Sequence, residues 1–150
     1  MLIRPACRSD YQAWRPLYDG YNAFYGRQGD TALPDDLVEA IWERFFDPAE
    51  PVHALVAEEG GEVLGISHYL FHRSVLHLQD SCYLQDVFTV PAARGKGIGR
   101  ALIDEVYSVA EAAGCAKVYW TTHETNTASR RLYDKVAEHR GFIVYTHKLI

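Results

Sequence analysis

The stretch that most narrows what this chain can fold into runs from Gln85 to Leu102, QDVFTVPAARGKGIGRAL. It opens as a β-type run, breaks at Pro91, and passes through Arg94-Gly95-Lys96-Gly97-Ile98-Gly99 into a segment with apolar residues at helical spacing. Glycines alternating with Lys96 and Ile98 at a strand-to-helix junction leave backbone N–H groups uncovered by side chains. They stand at the positive end of a helix dipole. This is an anion site, most naturally for phosphate.

The rest of the chain supplies an α/β frame for that junction. With 150 residues, 48% of them hydrophobic and 23% charged, the chain is expected to form one domain, residues 1–150, with a core that needs no staples. No apolar run approaches the ~18 residues of a membrane span. The start, MLIRPACRSDY, turns polar too early for a signal peptide, so a cytoplasmic location is expected. The formal net charge of −5 argues against nucleic-acid binding and is compatible with a cationic substrate. Cys7, Cys82 and Cys115 are odd in number and lack CxxC spacing, which suits reduced packing residues.

In order, Leu2–Ala6 reads as a first strand and Ser9-Asp10 as a helix cap. Tyr11, Trp14, Tyr18, Tyr21 and Tyr25 then recur at three-to-four-residue spacing, an amphipathic helix with Pro16 inside. The missing N–H predicts a kink there or a start near Trp14. The aromatic stripe suits core packing, with a ligand wall as the alternative. Pro34 opens a second helix with Leu37, Val38, Ile41, Trp42 and Phe45 on its apolar face. Asp35, Asp36, Glu39 and Glu43 are a solvated face or an attractor for a cationic acceptor.

Val52–Glu58 and Glu62–Leu70 flank Gly60-Gly61 as a hairpin. His68, His72 and His77 suit polar strand positions better than a metal site, for which no further ligand is spaced, and no metal is expected. Ser81–Val90 is a strand carrying Gln85 and Asp86 in its middle, where polar residues need partners or a purpose. A helix from Ile98 to Gly114, a strand over Ala116–Thr122, a helix from Asn126 to Gly141 and a last strand at Phe142–Thr146 complete the expected order.

Among phosphate loops, a Walker A reading lacks the hydroxyl after Gly-Lys, since Gly97 follows Lys96. A dinucleotide reading lacks the third small residue and the acidic strand tip. What remains, Arg94-x-x-Gly97-x-Gly99, resembles the pyrophosphate motif of the GNAT superfamily of acyl-CoA-dependent N-acyltransferases. The order from about Ser81 onward, including Asn126, Ala128 and Leu132-Tyr133, is similar too. YLQDVFTVPAARGKGIGRALI and NTASRRLYDKVAEHRGFIVY look closest to the diamine, polyamine and small histone acetyltransferases.

The resemblance implies an α/β (α+β) fold. Its central sheet is mixed, mostly antiparallel and twisted, with about six to seven strands splayed in the middle and about four helices on both faces. It implies acetyl-CoA as cosubstrate, held by Val87, Phe88, Thr89 and Val90 along the pantetheine arm and by Arg94, Gly95, Lys96, Gly97, Ile98, Gly99 and Arg100 at the pyrophosphate. Asn126 would bond the arm, and Tyr133 would protonate the departing thiolate. Relatives carry Glu where Gln85 stands, and Gln85 cannot be a base. Asp86 is the nearest carboxylate, although strand alternation points it into the sheet; Glu39, Glu43 or His123 are substitutes.

Tyr21, Tyr25, Glu39, Trp42 and Gln85 are candidate acceptor-binding residues. The implied reaction is acetyl transfer to a primary amine, with small polyamines or diamines ahead of a peptide lysine or an amino sugar. A non-catalytic CoA-binding module and a generic nucleotide-binding domain stand as alternatives of other classes. The aromatic C-terminal strand suggests a homodimer, as in relatives.

Overall fold

Gly60 and Gly61, both at positive φ (59° and 82°), turn the chain between β2 (Val52–Glu59) and β3 (Glu62–His72). Left-handed backbone at both turn positions matches the twist of the flanking strands, which is why this dipeptide makes the hairpin. The computed structural model describes residues 1–150 and extends the hairpin into a five-stranded sheet in the order β1-β2-β3-β4-β5. β1 (Leu2–Pro5), β2, β3 and β4 (Ser81–Thr89) pair antiparallel, and β5 (Lys117–Tyr119) joins β4 in parallel.

The two sheet faces carry separate cores. On one, α1 (Tyr11–Phe24) and α2 (Asp35–Arg44) bury Trp14, Leu17, Tyr18, Val38 and Trp42 against Val56 and Ile66. On the other, α3 (Ile98–Ala112) buries Ile98, Leu102, Ile103, Val106 and Ala110 against Leu55, Ala57, Tyr69, Cys82 and Leu84. Leu132, Tyr133 and Val136 of α4 (Thr127–Val136) pack against this second core. Stacking of Trp14 on Tyr18 (centroids 4.8 Å apart) and its contact with Trp42 (4.7 Å) explain the aromatic spacing in α1 as packing first.

Two glycines set how closely helices approach the sheet. A Cβ at Gly20 would lie 2.8 Å from Phe88 Cζ, and one at Gly65 would lie 2.8 Å from Ile98 Cγ2. The second contact seats the first turn of α3 directly on β3.

Several expectations change. α1 begins at Tyr11 and runs through Pro16. Asp10 is the N-cap residue of α1 as expected, but its side chain closes the preceding turn, accepting from the Cys7 N–H at 2.8 Å and from Arg4 at 2.7 Å. Cys82 is buried, its thiol pushed up to about 12 by desolvation, while Cys7 is exposed. β5 stops at Tyr119. α4 ends at Val136 rather than Gly141, because the Val136 carbonyl accepts from the Tyr107 hydroxyl at 2.8 Å and the following residues offer no apolar face.

The largest change is at the C-terminus. Phe142, Ile143, Val144 and Tyr145 pair with no strand and are 69–89% exposed, so the sheet has five strands rather than about six to seven. β-type composition expresses a fit to a half-buried pleated surface. Within one chain no sheet edge meets this segment.

Candidate active site

The middle of β4 departs from regular pairing at one residue. His68 faces Asp86, yet the next residue, Tyr69, faces Leu84, so Gln85 is the extra residue of a β-bulge. Before the bulge, Cys82 and Leu84 point to the α3 side. After it, Val87 packs on the α3 side and Phe88 on the α1 side. Plain alternation would have sent Asp86 into the α3 core; the bulge turns it to the α1 face.

There Asp86 is buried and held by a chain of side chains. Trp14 Nε1–H, which can only donate, bonds His68 Nε2 at 2.9 Å. The ring proton of His68 is therefore on Nδ1, and it is donated to Asp86 Oδ2 at 2.8 Å. The strand histidine and the strand aspartate are thus each other's partners, and no cluster of His, Cys, Asp or Glu suited to a metal ion exists in the chain.

Asp86 reaches the solvent-facing side through tyrosines of α1. Burial, then the charge of the Asp86 carboxylate, push the Tyr21 phenol far above its usual range. Tyr18 and Tyr25 are raised as well, by burial and then by the same carboxylate.

Beyond Tyr83, β4 has no partner on its outer side, because β5 ends at Tyr119. The strands splay there, and a slot opens through the sheet. It is lined by Tyr21 from α1 and Tyr25 at its C-cap, Leu84, Gln85 and Val87 from β4, Trp120 and Thr121 beyond β5, and Tyr133 from α4. Tyr133 is held against Trp120 edge-on at 5.4 Å, and burial raises its phenol. The proton stays on oxygen through the neutral range. Asn126 precedes α4 without capping it; its Nδ2 donates to Thr122 Oγ1 at 3.1 Å.

The glycine-rich loop leads from the open edge into α3. Gly95 and Gly97 sit at φ 79° and 83°, where side chains are strained, and Gly97 is the N-cap residue of α3 with no side-chain cap. The successive N–H groups of Gly95, Lys96, Gly97, Ile98, Gly99 and Arg100 donate to no acceptor in the chain. A Cβ at Gly95 or Gly97 would meet no protein atom within 4 Å and would stand in the open space before the loop. This cradle fits a pyrophosphate. Arg94 is anchored by Nε–H donation to the Thr89 carbonyl at 3.1 Å and lies 5.4 Å from the Phe88 ring. Lys96 and Arg100 are exposed beside it.

Of the candidate acceptor residues, Tyr21, Tyr25 and Gln85 share the slot with Tyr133. Glu39 and Trp42 do not. Trp42 is a core residue, and Glu39 lines a separate hollow with Arg8 and Asp36. Asp35 and Glu43 are engaged by Arg15 (2.8 Å) and Arg8 (2.7 Å). His123 is exposed and lies 5.7 Å from the Tyr25 ring. Sequence reasoning missed His68, Trp14, Trp120 and Arg27. A pairing of His68 with Asp86 had no signal without the register of β3 on β4.

A model of the acetyltransferase (GNAT) family matches residues 14–137. The chain is 34% identical over 147 residues to the D-amino-acid N-acetyltransferase HPA3 of Saccharomyces cerevisiae, covering 97% of this chain and 89% of that protein. It is 32% identical over 147 residues to the uncharacterized N-acetyltransferase YhfO of Bacillus subtilis, covering 97% and 95%. Among solved structures it superposes on AAC(6')-Iy in complex with a CoA-linked bisubstrate analog, with a TM-score of 0.84, 21% identity and coverage of 99% and 98%, a likeness of fold. The chain belongs to the acetyltransferase (GNAT) family and is an N-acetyltransferase that uses acetyl-CoA as cosubstrate.

Proposed function

We propose that the chain moves the acetyl group of acetyl-CoA to the primary amine of a small acceptor by direct attack within a ternary complex. The observation that carries this reading is the open outer edge of β4 beyond Tyr83, which connects the free N–H groups before α3 to the slot holding Tyr21, Gln85 and Tyr133. The N–H groups of Gly95 to Arg100 take the pyrophosphate, with Arg94, Lys96 and Arg100 adding charge. Peptide groups of Val87 to Val90 bond the pantetheine arm as a neighbouring strand would, and Asn126 bonds it from just before α4.

The acceptor must attack as a neutral amine. A lysine-like ammonium at pH 7.4 costs about 4 kcal/mol to deprotonate, at ~1.36 kcal/mol per unit. In this reading Tyr21 turns its O–H toward Asp86 and keeps oxygen lone pairs free to accept an N–H from the ammonium. The amine proton passes to Tyr21 as the Tyr21 proton passes to Asp86, and the nitrogen bonds the thioester carbon. An N–H near Val87 or Phe88 meets the oxyanion. The C–S bond then breaks, Tyr133 gives its proton to the thiolate, and the second proton shed by the attacking nitrogen as the amide forms restores the Tyr133 phenol.

The sequence resemblance implies a diamine or polyamine acceptor. A relative named for D-amino-acid acetylation favours a free amino acid. Thiol release from acetyl-CoA over diamines, polyamines, amino acids, amino sugars and a lysine peptide tests the reaction: release that depends on a small amine supports it. Tight CoA binding with no acceptor-dependent release would leave a binding module instead. The reading extends to a homodimer that covers Phe142–Tyr145. Sedimentation of the full chain as a monomer at micromolar concentration would refute that part.

A further inference from the structure

Arg27, just past α1, is oriented at two points. Its backbone N–H donates to the Asn22 carbonyl at 2.9 Å, and its Nε–H donates to Asn22 Oδ1 at 2.7 Å. Asn22 is itself 4% exposed and donates from Nδ2 to the Tyr18 carbonyl at 2.9 Å, so the anchor is rigid. The guanidinium lies 5.6 Å from the Tyr25 ring and 5.9 Å from the Tyr21 ring, two walls of the slot. Unlike Arg4, Arg8 and Arg15 on the same side of the sheet, it has no carboxylate of the chain within 4.0 Å. Both terminal nitrogens keep their donors free, a fork suited to a carboxylate.

Opposite in charge, Asp86 stands behind the same tyrosines. Tyr18, Tyr21 and Tyr25 are each raised by burial and then by Asp86, and each is drawn back down by Arg27. The tyrosine wall therefore lies between one fixed anion and one fixed cation. We propose that the acceptor is a free amino acid taken up as its zwitterion, with Arg27 binding its carboxylate while its ammonium faces Tyr21 and Asp86. This rests on the acetyl-transfer reading above and narrows it. A polyamine would bring a second cation toward Arg27, where like charges repel.

The test is equilibrium binding to the CoA-loaded full chain by calorimetry. Both enantiomers of alanine and lysine are compared with ethylamine and cadaverine, which lack the carboxylate. The wild type is expected to bind at least one amino acid about tenfold or more tighter than its decarboxylated counterpart. Arg27→Gln should weaken the amino acid by about 10- to 100-fold and leave the amine within about twofold. Arg27→Lys, which keeps the charge but loses the fork, should fall between. CoA affinity and thermal midpoint should be unchanged in both variants.

Preference for the decarboxylated amine, or equal weakening of both ligand classes in Arg27→Gln, overturns the proposal. Arg27-dependent amino-acid binding without thiol release would sink the acetyl-transfer reading and leave this one standing. Turnover of amines with no preference for the carboxylate would do the reverse.

Discussion

Replacing Gly65 by alanine tests whether the seat of α3 on β3 sets the cofactor site. Gly65 is not at positive φ, so the backbone accepts alanine, and the smaller unfolded ensemble would stabilise by about 0.4–1 kcal/mol. Against this, the new Cβ would lie 2.8 Å from Ile98 Cγ2, 3.1 Å from Leu102 Cδ1 and 3.3 Å from the Phe88 carbonyl oxygen. Carbon atoms rest at roughly 3.5–4.0 Å, so Ile98 must retreat by about 0.7–1.2 Å. Leu102 can turn its end away. Ile98 cannot, because a β-branched side chain in a helix has essentially one χ1, so the first turn of α3 moves as a unit.

Overpacking of this kind costs about 1–3 kcal/mol, which outweighs the entropic gain and leaves a net loss of about 1–2 kcal/mol. The same turn carries the free N–H groups of Ile98, Gly99 and Arg100, and a shift of about 1 Å in positioning groups can cost ~10²-fold. Urea unfolding should show the stability loss, and calorimetry should show CoA affinity reduced about tenfold or more. Gly99→Ala is the control for stability. Its Cβ would meet only Leu132 Cδ2 at an ordinary 3.6 Å, and alanine favours the helix by up to ~1 kcal/mol. A Gly65→Ala protein as stable as wild type and within twofold in CoA affinity would refute the reasoning.

Tyr133→Phe should lower kcat by about 10- to 1,000-fold with acetyl-CoA affinity retained. Because burial raises this phenol, stopped-flow rates should show no alkaline loss assignable to it below about pH 10. His68→Leu strands the Trp14 N–H and Asp86 together; with roughly 1–3 kcal/mol for each orphaned group, calorimetric unfolding should show a loss of about 2–5 kcal/mol. Arg4 holds the Asp10 carboxyl down at about 2 from 3.8. A carboxylate with a depressed folded-state value stabilises fully above its unfolded value and loses that contribution as pH falls from about 4 toward 2. Asp10→Asn should flatten that acid limb of the stability curve.

The Gly-rich loop, the hairpin at Gly60-Gly61 and the apolar stripes of α1 and α3 were legible because each is a local pattern whose physics acts within a few residues. The C-terminal run was misread for the converse reason. Its composition states a local preference, and pairing needs an edge that the composition cannot supply. Tyr133 and Asn126 were legible only through resemblance, since nothing in their own neighbourhood distinguishes a tyrosine on an amphipathic helix from a packed one. Arg27 stayed invisible because its anchor on Asn22 and its two tyrosines come together only once α1 has turned at Gly26.

The phase of β4 on either side of Gln85 carries the hardest test. Deleting Gln85 would remove the bulge and leave Leu84 opposite Tyr69 and Asp86 opposite His68 as consecutive pairs, so plain alternation keeps Leu84 on the α3 face and Asp86 beside His68. The buried carboxylate keeps its partner and Trp14 keeps His68, so no polar group is orphaned. The deletion variant should therefore unfold cooperatively, while loss of the extra residue straightens the strand at its open edge and lowers CoA affinity by about tenfold or more. Gln85→Ala keeps the residue count and truncates an exposed side chain, so it should stay within about 0.5 kcal/mol of wild type. The pair separates the backbone role of position 85 from its side chain: a deletion variant that aggregates or loses cooperative unfolding would mean that Leu84 and Asp86 do not hold their faces through the ladder with β3.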